Sequence, residues 1–76
     1  MKLNFSSHAR NQMRRRGITE EDVRAALEHW NTSVPGKSAP VCYIGTVPDG
    51  RTLQVCLSDT VGSQATIDVV TAYWKS

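Results

Sequence analysis

The stretch VCYIGTVPDGRTLQVCL (residues 41–57) decides the class of fold. Val41, Tyr43, Gly45 and Val47 alternate with Cys42, Ile44 and Thr46, and Leu53, Val55 and Leu57 resume the same period beyond Pro48-Asp49-Gly50. An apolar period of two marks half-buried strands, and Pro-Asp-Gly marks a turn between them. With Gly50 in the left-handed position of a three-residue hairpin, Val47 pairs with Arg51. Gly45 then faces Leu53, Tyr43 faces Val55 and Val41 faces Leu57, so the apolar residues of both strands share one face. The same register sets Cys42 opposite Cys56 on the other face, beside Ile44 and Gln54. They form a non-hydrogen-bonded pair with Cα atoms about 4.5 Å apart. That spacing lies at the short end of the disulfide range, and in a reducing cytoplasm two thiols in contact are expected.

Working outward, DTVGSQ (residues 59–64) reads as a looser turn and residues 65–74 as a third strand. Upstream, NTSVPGKSA (residues 31–39) reads as a loop by composition. Before it, Val23, Ala26, Leu27 and Trp30 recur at i, i+3, i+4 and i+7, one apolar stripe on a helix over residues 20–30. Thr19-Glu20-Glu21-Asp22 imitates a capping box, with Asp in place of the usual Glu or Gln. The stripe is expected to face Tyr43, Val55 and Val69. A first helix over residues 7–16 has a hydroxyl cap at Ser6 or Ser7 and a stop at Gly17. Leu3-Asn4-Phe5 forms either a short strand or an apolar lead-in. The expected architecture is α+β, a single domain over residues 1–76 with two N-terminal helices on an antiparallel sheet of three or four strands.

A chain of 76 residues buries only about 60% of its unfolded surface, and with 39% hydrophobic residues its core is small. No apolar run reaches the length of a bilayer span, and the first residues carry no signal-peptide core, so a cytoplasmic protein off the membrane is expected. The net charge of +2 is modest, but it is unevenly spread. His8, Arg10, Arg14, Arg15 and Arg16 crowd the first helix, while Glu20, Glu21, Asp22 and Glu28 gather on the second. That gives the molecule a basic end.

At 100° per residue, His8, Ala9, Gln12, Met13 and Arg16 share one face of the first helix, with Arg15 flanking His8 and with Arg10 and Arg14 pointing away. This face is a mixed stripe at the edge of a core. A buried guanidinium needs a partner, so Arg16 is expected beside a partner group or a bound anion. Each such residue also has a plain structural role. Arg16 answers the dipole of the helix C-terminus, His8 hydrogen-bonds in the first turn, and Arg51 pairs with Asp49 at the turn. Tyr73 packs in the core with a wet hydroxyl, and Thr71 is an ordinary strand residue.

SSHARNQMRRRGITEEDV (residues 6–23), GRTLQV (residues 50–55) and VVTAYW (residues 69–74) together resemble a small bacterial family, the domain of unknown function numbered 4258. The matching positions are His8, Ala9, Met13, Arg16, Gly17, Ile18, Arg51, Thr71 and Tyr73. Gln12 departs from the pattern, standing where the family usually has arginine. The family is similar in layout to RelE-type ribonuclease toxins, also described as barnase-like. The resemblance implies RNA as substrate, metal-independent cleavage by transfer to the 2′-oxygen, no cofactor, and an acidic antitoxin-like protein as partner. Such chemistry takes a proton-transfer group, cations for the phosphorane oxygens and an acid for the leaving oxygen. His8 is then the general base or acid, Arg16 and Arg51 the phosphate clamps and Tyr73 an acid or stacking group. Arg14, Arg15 and Thr71 are expected to contact RNA. Gln12 weakens this assignment unless Arg15 substitutes, and a noncatalytic module that holds RNA or an acidic protein on the basic helix is the alternative.

Other chemistries find no motif. Two cysteines and two scattered histidines lack metal spacing, and Gly45 and Gly50 belong to the hairpin, not to a phosphate loop. A helix pair joined by Gly17 and Ile18 suggests DNA reading, but Glu20, Glu21 and Asp22 at the start of the second helix would be repelled by phosphates.

Overall fold

A computed structural model describes residues 2–75. In chain order the elements are β1 (Lys2–Phe5), α1 (Ser7–Arg16), α2 (Glu20–Glu28), β2 (Trp30–Val34), β3 (Val41–Thr46), β4 (Thr52–Leu57) and β5 (Thr66–Trp74). The fold is α+β, with both helices on one face of a five-stranded sheet ordered β1-β5-β4-β3-β2. The sheet is mixed: β1 runs parallel to β5, and every other pair is antiparallel. This corrects the expected three or four antiparallel strands.

The two added strands come from the segments with the least apolar pattern. β1 is only four residues long, and Leu3 and Phe5 bury while Lys2 and Asn4 do not. Residues 31–34, expected in a loop, belong to the edge strand Trp30–Val34, whose first four residues are exposed, leaving no alternation to read. Trp30 opens that strand and does not belong to the helix stripe, because α2 ends at Glu28. Its indole is 43% exposed and meets the Tyr43 ring edge-on at 5.0 Å.

The helix caps follow from local chemistry. Thr19 and Asp22 exchange side-chain bonds with each other's backbone N–H groups at 3.0 and 3.1 Å, a complete capping box. Gly17 ends α1 with φ of 69°, a left-handed conformation that favours glycine, and lets the Ile18 N–H reach the Met13 carbonyl at 2.8 Å. Val23, Ala26 and Leu27 bury in one cluster with Tyr43, Val55 and Val69. Gly45 lies under α2 so closely that a Cβ there would collide with the Ala26 carbonyl oxygen.

The hairpin register agrees residue for residue, including Cys42 opposite Cys56. Their Cα atoms are 3.9 Å apart and the sulfurs are bonded, which corrects the expected pair of free thiols. Direct cross-strand placement and folding of residues 35–40 over the pair account for it: both cysteines bury with Ala39 in a second cluster on the face away from the helices. β4 is therefore covered on both sides.

A bulge in β5 completes the frame. Cys56 pairs with Thr71 while Leu57 pairs with Val69, leaving Val70 as the extra residue. Side-chain parity reverses there. Ile67 and Val69 face the helices before it, Ala72 does so after it, and Tyr73 packs against the second cluster. Among the described residues, no helix is long and apolar enough to cross a membrane.

Candidate functional site

β1 covers only the first half of the outer edge of β5, through the pairs from Lys2↔Thr66 to Phe5↔Val69. Along the second half, α1 takes its place. An uncovered strand edge leaves carbonyls without partners, and such groups are costly when buried. The mixed stripe of α1 answers this need. Thr71 donates its hydroxyl proton to Gln12 Oε1 at 2.5 Å, Arg16 Nη1 donates to the Ala72 carbonyl at 2.8 Å, and Trp74 Nε1 donates to the Arg16 carbonyl at 2.7 Å. The partner expected beside Arg16 is thus a backbone oxygen. Gln12 in place of arginine makes a short neutral bond.

This docking gathers two arginines and two aromatic residues at the end of β5. Arg16 Cζ lies 6.0 Å from the centroid of the Tyr73 ring, and Arg51 Cζ stacks 3.8 Å from that of Trp74. Arg51 also bonds Asp49 through Nε at 2.7 Å, the turn pairing read from the sequence. Its side chain remains half exposed. The Asp49 carboxyl is held below its ordinary value first by the Arg51 backbone N–H and then by the Arg51 guanidinium. Tyr73 is half-buried, and its hydroxyl accepts a 2.6 Å bond from Gln54 Nε2.

The remaining candidates are dispersed. His8 is exposed in the first turn of α1, eight residues before Arg16 and therefore about 12 Å from it along the axis. Arg14 lines a shallow depression on the opposite flank, with Arg10, Met13, Ile18 and Glu20. Arg15 is exposed, and Thr71 is engaged with Gln12. Arg16 therefore meets Tyr73 and Arg51 meets Trp74 at the end of β5, the two rings packing on opposite faces of the sheet, while His8 and Arg14 stay apart. Gln54, buried in β4 on the second face, was missed as a site residue; its only signal was a polar residue inside an apolar strand. Among the described residues no group of three or more His, Cys, Asp or Glu side chains is placed to hold a metal ion.

The sequence motifs and this geometry coincide with a family match over residues 5–74, to the domain of unknown function DUF4258. The chain belongs to that family. No curated protein and no solved structure matches it. Within this DUF4258 domain, the matched span takes in both helices, β2 to β5, the last residue of β1 and the whole arginine–aromatic cluster.

Proposed function

We propose that this DUF4258 domain binds single-stranded RNA around the end of β5, where Arg16 lies against Tyr73 and Arg51 against Trp74. The observation that carries the reading is the pair of guanidinium groups held against consecutive aromatic rings at the end of β5. Arginine stacked on an aromatic keeps a planar fork for phosphate, and aromatic or guanidinium planes accept unstacked bases. Arg51 spends its Nε on Asp49 and keeps its terminal nitrogens for a phosphate oxygen. The acidic residues of the α2 first turn argue for a single strand over a duplex groove.

Binding is better supported than RelE-type cleavage. In-line attack on one phosphate needs the proton-transfer group and the clamps around the same atoms, and His8 lies two helical turns from Arg16. An acidic protein partner would compete for the same cations.

The test is a mobility shift with a labelled RNA oligomer in chelator, followed on a denaturing gel. The expected result is retarded, intact RNA, unchanged binding by His8→Ala and roughly tenfold weaker binding by Arg51→Ala. Cleavage that disappears in His8→Ala would replace this reading with the ribonuclease. Absence of binding at low salt would refute it.

A further inference from the structure

On the sheet face opposite the helices lies a cavity of about 380 Å³. Residues 35–38 form one wall, and the Cys42–Cys56 pair, Gln54, Thr71 and Tyr73 form the other. The size is that of a small-molecule site, and the lining is mainly apolar with few polar groups, as such sites are. Gly36 brings the loop down onto the disulfide; a Cβ at that position would lie 3.0 Å from Cys42 Sγ.

The polar groups of this cavity are unusual for a sheet face. Gln54 is only 6% exposed. Its Nε2 donates to Tyr73 Oη at 2.6 Å and lies 4.0 Å from Cys56 Sγ, but its Oε1 takes no hydrogen bond from the described residues. Among the described residues, no side-chain oxygen or nitrogen that is fully enclosed lacks a partner. Oε1 therefore opens onto the cavity. The Tyr73 hydroxyl accepts from Gln54 and keeps its own proton to donate. The cavity thus presents an acceptor and a donor side by side, with the Lys37 ammonium in its loop wall.

We infer that this cavity receives one unpaired nucleobase, whose edge donates to Gln54 Oε1 and accepts from the Tyr73 hydroxyl while Lys37 meets the adjoining phosphate. This rests on the RNA-binding reading and extends it. Every nucleobase carries a neighbouring donor and acceptor, so the pair recognises a base as such, whether in a strand or in a free nucleotide. Tyr73 joins the two parts of the surface: its ring faces Arg16 and its hydroxyl reaches into the cavity.

The experiment compares an RNA oligomer with the same oligomer made abasic, and uridine and adenosine monophosphates with ribose 5-phosphate. Fluorescence anisotropy reads the oligomers, and chemical-shift titration reads the monomers. The parent oligomer should bind roughly tenfold more tightly than the abasic one. Gln54→Leu and Tyr73→Phe should erase that difference, while Gln64→Leu, in the exposed turn, should retain it. Tyr73→Phe keeps the ring, so the test survives if Gln54→Leu fails to fold. Equal binding of parent and abasic oligomers overturns the base pocket while RNA binding stands. If no oligomer binds, the RNA reading fails. The cavity is then decided by the monomers: nucleotides that shift Gln54 where ribose 5-phosphate does not uphold it, and no shift overturns it.

Discussion

Gly45 and Asp49 show how much a single position of the hairpin carries. An alanine at Gly45 would push its Cβ against the Ala26 carbonyl, a backbone atom that cannot turn aside. Gly45→Ala should cost about 1–3 kcal/mol, read as a lower midpoint in urea unfolding; an unchanged midpoint would mean that α2 does not sit on β3 there. Asp49 makes a pH-dependent contribution. Its carboxyl is held below 3.8 in the folded protein, so its contribution is present above the unfolded value and is lost as pH falls through the lower, folded one. The stability difference between the parent and Asp49→Asn should therefore be seen at pH 7 and close as the pH drops below about 3.8. A gap that persists in strong acid would deny the Asp49–Arg51 pairing. The turn and this pairing were legible because Pro-Asp-Gly is local chemistry. The closeness of α2 above Gly45 was not, since nothing in the strand's own residues reports what lies over it.

At the scale of elements, α2 tests the core. Leu27→Ala removes a side chain that is 5% exposed and should cost about 2–5 kcal/mol, most of the stability of so small a domain. A variant that melts with the parent would take Leu27 out of the core. Both helices and the hairpin could be read because caps, a stop glycine and two apolar periods agree over many residues. The edge strands could not. β2 buries almost nothing, and β1 is too short to show a period. The bulge at Val70 was equally hidden, yet it turns Tyr73 toward the second face and so builds the site. Such a register shift comes from pairing with β4 and has no mark in the sequence of β5. The mixed stripe of α1 was visible in Gln12 and Arg16. Its meaning, a helix standing in for a missing strand, needed the partner edge.

For the whole molecule, the Cys42–Cys56 bond ties the central strands beneath residues 35–40. The purified protein should be lighter by two hydrogens than its reduced form by intact mass. Reduction should lower its stability by up to about 3 kcal/mol, the chain-entropy figure for a loop of this length; a stability insensitive to reductant would contradict that. The proposed RNA surface draws on both ends of the chain: α1 supplies Arg16, the hairpin turn supplies Arg51, and β5 supplies a ring against each. The most direct measurement of this account is the salt dependence of binding to a single-stranded RNA oligomer. Each phosphate neutralised contributes about −0.7 to the slope of log K against log salt. Arg16→Ala and Arg51→Ala should each make the slope shallower by roughly that amount, and His8→Ala should leave it unchanged. Parent-like slopes in both arginine variants, or no binding at low salt, would contradict the account.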